Sequence, residues 1–363
     1  MLSQLLYNYG FDIFGRSSAN FVCGFSAAFL IMLTFGRWFT NKMRVWHGRG
    51  QPIRSDGPQS HLVKSGTPTM GGILILAAIT VSGLAFMDWG NATAWIALAA
   101  LLGFGLIGFI DDFAKVKRKS SEDKDAIMSP KIRLILEGVL VIVLTYFINK
   151  TMPVYIPELS LTIPFVGIFT LGIFYFVWSY FVIVGSTNAA NITDGLDGML
   201  AKVIIPVLGV LLVAVFAATH LDFFSGSLFL PSAAGLYPLL GAALGAVLGF
   251  LWFNGAPAAI FMGDVGSLAL GGFIGTVAML LKSEIIMGIA ALMMVVILLS
   301  SLLQKTCFKI TKKLTGTGRR IFKMAPLHHH FELSGWAETK ISERFFIMSL
   351  LFSAIALAIM KLG

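Results

Sequence analysis

The feature that most constrains this chain is the recurrence of long apolar runs, at 20–36, 70–87, 93–110, 132–148, 165–184, 203–219, 236–253, 265–281, 285–303 and 345–360. A helix needs about 20 such residues to cross a bilayer, whereas a helix on a soluble core keeps one polar face. Only 12% of the 363 residues are charged and 57% are hydrophobic. Soluble chains carry about 25% charged residues. The bilayer is therefore the solvent, and the expectation is an all-α polytopic membrane protein. It should have about ten transmembrane helices in a single domain over 1–363.

Lys and Arg fix an expected orientation. With the stretch after the first run placed in the cytoplasm, 23 of the 27 basic residues fall inside and only Arg16, Lys150, Lys282 and Lys361 outside. That asymmetry is the positive-inside pattern; both termini then face outward. It also accounts for the net charge of +9, so no nucleic-acid partner is inferred. Basic residues follow the first run, which predicts an uncleaved first helix. Cys23 and Cys307 fall at different depths, and no disulfide is expected.

The carboxylates are placed as selectively as the lysines. Asp111 and Asp112 end the third run, Asp194 and Asp197 follow the fifth, and Asp264 precedes the eighth. All five map to the cytoplasmic surface. A secondary transporter would instead carry ionisable groups near mid-membrane. Carboxylates gathered at one face suit a reaction between a soluble substrate and a lipid headgroup.

Each carboxylate belongs to a motif. GFIDDFAKVKRK offers an acidic pair for Mg²⁺ or a proton, followed by Lys115 and Lys119, which can meet phosphate oxygens. In NAANITDGLDG, Asn188, Asn191, Asp194 and Asp197 exceed what a helix cap needs. The three-residue spacing of Asn191, Asp194 and Asp197 predicts nearby faces of one helical turn. Asn254 and Phe261 precede Gly263-Asp264, where a carboxylate opens a helix either for its dipole or as a metal ligand. His328 and His329 lie in MAPLHHHFE and suit phosphate contact better than zinc, since too few cysteines accompany them. Lys64 and Thr69 flank a glycine-rich helix start that could take an anion, with Thr67 or Thr69 as its cap.

Taken together, GTPTMGG at 66–72, GFIDD at 108–112, NITDGLDG at 191–198, FMGDVGSLALGG at 261–272 and MAPLHHHFE at 324–332 make the chain resemble the phospho-N-acetylmuramoyl-pentapeptide transferases. These are a branch of the polyprenyl-phosphate sugar-phosphate transferases. The resemblance covers nearly the whole chain. It implies transfer from UDP-N-acetylmuramoyl-pentapeptide to undecaprenyl phosphate with release of UMP. It further implies Mg²⁺ as cofactor, a homodimer among membrane lipids, and a bacterial cytoplasmic membrane with the site facing the cytoplasm.

Carried over residue by residue, Asp264 matches the Mg²⁺ ligand, and Asp111 and Asp112 the acidic pair near the lipid phosphate. Asn188, Asn191, Asp194 and Asp197 match polar site residues. Lys64, Leu196, Asp197, Asn254 and Phe261 match the uridine pocket. His328 and His329 match the histidines near the diphosphate, and Thr69, Lys115 and Lys119 further residues of the cleft. Three departures stand out: Glu122–Met128 where many members have Gly-Leu, Ile297 where many have Glu, and a loop at 308–320 longer than usual. Two rival readings stay open: an N-acetylglucosamine phosphate transferase and a non-catalytic transporter. A one-step attack by the lipid phosphate and a two-step route through Asp112 also stay open.

Overall fold

The structure, a computed structural model, describes residues 17–47, 66–117, 128–220 and 228–362. Lys64 and Lys119 lie outside the described residues.

The described elements are α1 (Ser17–His47), α2 (Gly72–Phe86), α3 (Ala92–Lys117), α4 (Pro130–Thr151), a hairpin of β1 (Ser160–Ile163) and β2 (Gly167–Thr170), α5 (Phe174–Thr193) and α6 (Met199–Thr219). A 3₁₀ turn, Pro231–Leu236, leads into α7 (Tyr237–Asn254). There follow α8 (Gly263–Leu280), α9 (Glu284–Ala290), α10 (Leu292–Thr315), α11 (Leu327–Glu332) and α12 (Glu338–Leu362). Among the described residues, eight helices are long and apolar enough to cross a membrane by length and composition. Of the other two expected spans, α2 has only 15 residues and α5 ends in polar residues from Ser186 to Thr193. This is the helical membrane architecture that the apolar runs require.

Four local expectations are corrected. The run 165–184 begins in the hairpin, and its helix reaches Thr193. Asn188 and Asn191 therefore lie within the helix. The hairpin pairs Ser160 with Thr170 through Ile163 with Gly167, so the fold holds a little sheet. The run 285–303 breaks at Ala291 between α9 and α10, while α10 continues to Thr315, so most of the long 308–320 loop is helix. Finally, the cap position of α2 is taken by Gly71 and not by Thr67 or Thr69.

α8 is the axis of the bundle. Every residue from Val265 to Leu280 is buried. It is contacted by α3, α5 and α2, which small residues allow to come close. A Cβ on Gly72 would lie 2.1 Å from the Gly266 nitrogen, and one on Gly108 would lie 2.3 Å from the Asp264 carbonyl oxygen. Ser186 of α5 donates its hydroxyl to the Gly271 carbonyl at 2.7 Å. α4 is the opposite case. Ile135, Val139, Ile142 and Tyr146 form an exposed apolar stripe at helical spacing, as expected of a lipid-facing surface.

Candidate active site

The site forms where α8 begins and α3 ends. The chain before α2 runs beside the chain before α8. Phe261 N–H donates to the Pro68 carbonyl at 2.8 Å, and Gly71 and Gly72 N–H donate to the Phe261 and Met262 carbonyls, each at 2.9 Å. These backbone bonds tie the GTPTMGG and FMGD motifs into one unit. Gly263 then adopts φ +76, a left-handed conformation that favours glycine. A Cβ there would lie 2.4 Å from Asp112 Oδ2 and 2.9 Å from Thr69 Oγ1.

The first backbone donors of a helix need outside acceptors. Here carboxylates from other segments supply them. Asp112 Oδ2 accepts from Val265 N–H at 3.1 Å, and Asp194 accepts from Gly263 N–H. Asp264, one residue inside α8, is left to face the cleft. Its Oδ1 accepts from Asn191 Nδ2 at 2.9 Å, and Asn191 Nδ2 also reaches Ser267 Oγ at 3.1 Å. Its Oδ2 lies 2.8 Å from Lys115 Nζ and 3.5 Å from Arg133 Nη1.

Lys115 is the hub. Besides Asp264, its ammonium lies 2.8 Å from Asp111 Oδ2 and 3.5 Å from Asp112 Oδ1. One cation thus neutralises part of a three-carboxylate group that would otherwise repel itself. Behind it stands a second layer. Arg133 donates to Asn188 Oδ1 at 2.9 Å and faces Glu137 at 3.6 Å. Asn188 Nδ2 donates to Glu137 Oε2 at 3.0 Å. Glu137 is fully buried, and these contacts anchor Arg133 against Asp264. The carboxyl of Asp194, between the spans, is pushed up to about 7, chiefly by desolvation and then by the charges of Asp264 and Asp112.

The remaining predicted residues divide. Asp197, Leu196 and Asn254 are buried. Asp197 Oδ2 accepts from Ala258 N–H at 3.0 Å. Asn254 Oδ1 accepts from Gly198 N–H at 3.1 Å, and its Nδ2 donates to the Ile260 carbonyl at 2.9 Å. These two side chains fold the 254–260 loop onto the NITDGLDG turn. The expected shared helical face for Asn191, Asp194 and Asp197 is not formed. α5 ends at Thr193, Asp194 leaves the helix at ψ 52, and the three side chains reach three different partners.

His328 lies in α11. Its ring packs on the same turn: a Cβ on Gly195 would lie 2.2 Å from His328 Nε2. His329 Nδ1 meets Glu332 Oε2 at 2.5 Å. Gln304 Oε1 accepts from Ile321 and Phe322 N–H at 2.9 and 3.0 Å, which holds the segment before α11.

Sequence reasoning missed Arg133, Glu137, Ser267, Gly195 and Gly263. A signal existed for one pair. Arg133 and Glu137 are opposite charges four residues apart at the start of an otherwise apolar helix, where unpaired charges are costly. The rest depended on tertiary contact.

The donor set is chemically suited to a hard cation. Asp111, Asp112 and Asp264 present carboxylate oxygens, and a positive ammonium already lies among them. Mg²⁺ is commonly held by one or two carboxylates plus substrate phosphates, without an all-protein cage. Among the described residues, no group of three or more His, Cys, Asp or Glu is arranged to hold a metal ion by itself. The cleft therefore fits a cation completed by a phosphorylated substrate.

Comparison with known families gives two matches. The profile described as glycosyl transferase family 4 matches residues 94–282, and the one described as phospho-N-acetylmuramoyl-pentapeptide-transferase signature 1 matches residues 64–76. The first spans the acidic pair, the NITDGLDG turn and Asp264. The second includes residues 68–72, which pair with the chain just before α8.

Proposed function

The chain belongs to glycosyl transferase family 4, and from that membership we propose how its charged cleft carries out the reaction. The reaction is transfer of phospho-N-acetylmuramoyl-pentapeptide to a polyprenyl phosphate. The finer reading takes UDP-N-acetylmuramoyl-pentapeptide as donor, undecaprenyl phosphate as acceptor and UMP as leaving group.

The observation that carries the mechanism is the convergence of Asp111, Asp112 and Asp264 on Lys115, with Arg133 beside Asp264. Phosphoryl transfer asks mainly for positioning and charge neutralisation. An oxygen of the lipid phosphate attacks the β-phosphorus of the nucleotide in line. The bond from that phosphorus to the bridging oxygen breaks, and the bridging oxygen leaves with UMP. Lys115 and Arg133 offset the negative charge on the diphosphate. Asp264, with Asp111 beside it, would hold Mg²⁺, which supplies charge stabilisation to the leaving diphosphate oxygens. The lipid phosphate is largely dianionic at neutral pH, since its second pKa is about 6. It therefore needs little help from Asp111 as a base.

Asp112 supports a one-step route. It is fully buried, and its two oxygens face Lys115 and the Val265 N–H. A nucleophile would have to give up both contacts.

The basic residues gathered at the carboxylate end support a cytoplasm-facing site in a bacterial inner membrane. The homodimer rests on the resemblance alone. The test is UMP release from UDP-N-acetylmuramoyl-pentapeptide by the detergent-purified protein, with undecaprenyl phosphate and Mg²⁺ each present or omitted. UMP that requires both and disappears in Asp264→Ala supports the reading. Exchange of labelled UMP without lipid would overturn the one-step route.

A further inference from the structure

The other end of α8 carries a second buried ionic group, which the transfer reaction does not use. α8 has 18 residues, so this end lies about 27 Å from Asp264 at about 1.5 Å per residue. Lys282, in the turn to α9, is 4% exposed and Glu284 is 3% exposed. The ammonium of Lys282 donates to the Ser160 carbonyl at 2.7 Å and to Tyr175 Oη at 3.0 Å, and it lies 4.4 Å from the Tyr175 ring centroid. Tyr175 Oη in turn donates to Glu284 Oε1 at 3.2 Å. Glu284 therefore reaches Lys282 through the tyrosine, and among the described residues Lys282 has no direct ion pair. A buried charge without a contacting counter-charge is costly.

Lys282 also lines a cavity of about 460 Å³. The hairpin, Ala214 and Ala218 of α6, Ile286 of α9 and Met360 of α12 form its apolar walls. Among the described residues, the polar side chains in the lining are Thr162, Lys282 and Ser283, and none is a carboxylate. One lining oxygen, Thr162 Oγ1, is buried without a hydrogen-bond partner. Backbone strain occurs in the lining as well. Phe165 and Lys282 have φ of 66 and 52, and they are two of the four non-glycine residues with positive φ among those described. Such strain concentrates where a site is held for function. An apolar cleft of this size with a few convergent polar groups is the usual form of a small-ligand site.

We propose that this cavity binds an anionic phospholipid, with one acyl chain along Ala214 and Ala218 and its phosphate against Lys282 and Thr162. The apolar walls require a chain, and the single cation with hydroxyls requires an anionic head. The lipid phosphate would then be the contacting counter-charge that Lys282 lacks.

The test uses the full chain in a detergent that strips loosely held lipid. Native mass spectrometry would compare dioleoyl phosphatidylglycerol with dioleoyl phosphatidylcholine. The expected result is one phosphatidylglycerol bound at least tenfold more tightly than phosphatidylcholine. Lys282→Met should abolish that preference. The double variant Ala214→Leu/Ala218→Leu, which fills the chain wall, should lose both lipids. UMP release close to that of the unaltered protein would show that the variants are folded. If Lys282→Met does not fold, the double variant decides. Equal binding of the two lipids, unchanged binding in the double variant, or full displacement of the lipid by millimolar inorganic phosphate would each overturn the proposal.

Discussion

The two ends of α8 hold buried charge in opposite ways. At the Asp264 end, three carboxylates meet one ammonium and one guanidinium, and each charge has a direct partner. At the Lys282 end, one ammonium rests on a carbonyl, a hydroxyl and a ring, and its carboxylate stands one residue removed. The excess of carboxylate oxygens at the first end calls for positive charge. An excess donor at the second suits an anion. The same helix thus presents two ligand chemistries, and substitutions at each end should separate them.

The largest effect is expected at Asp264. Asp264→Ala should lower UMP release about a thousandfold, read with saturating donor and lipid. It also leaves Lys115 and Arg133 short of a partner, so the melting temperature should be recorded beside turnover. Gly263→Ala comes next. The left-handed backbone and the predicted clash with Asp112 and Thr69 should shift Asp264 and cost about a hundredfold in turnover. Gly316 provides the control, because it has φ +78 with nothing within 4 Å of an added Cβ. Gly316→Ala should cost about 1 kcal/mol of stability and leave UMP release nearly unchanged. Equal loss in the two variants would show that backbone strain matters and the cleft contact does not.

Glu137→Gln keeps a partner for Asn188 but removes the charge facing Arg133. A partly buried pair is worth about 1 kcal/mol, so kcat should fall about fivefold while KM for the lipid holds. Lys282→Met should have the smallest effect on chemistry, with UMP release within about twofold, because sites this far apart act almost independently. A large loss there would mean that the two ends are coupled through α8.

Much of the architecture was legible in the sequence. The apolar runs mark where helices occur because the hydrocarbon core leaves the backbone no other way to satisfy its hydrogen bonds. The carboxylates stood out because charges are excluded from those runs, which left Asp111, Asp112, Asp194, Asp197 and Asp264 at helix ends. What chain order could not convey was which side chain meets which. Lys115 lies 149 residues from Asp264 and Asn191 lies 73 residues from it, and such contacts depend on how helices pack.

The sequence by itself determined that this is a helical membrane protein and which family it belongs to, and it marked the polar motifs that the fold brings together. Hydrophobicity, charge exclusion and motif identity are properties of single segments. Only the tertiary structure decided that Asp112 and Asp194 cap α8 while Asp264 faces the cleft, that Arg133 and Glu137 stand behind it, and that Lys282 borders a cavity. The Gly72–Gly266 approach and the pairing of residues 68–72 with 261–262 set those positions. The reason is physical: the energy of a buried charge depends on its neighbours in space, and helix packing alone chooses them.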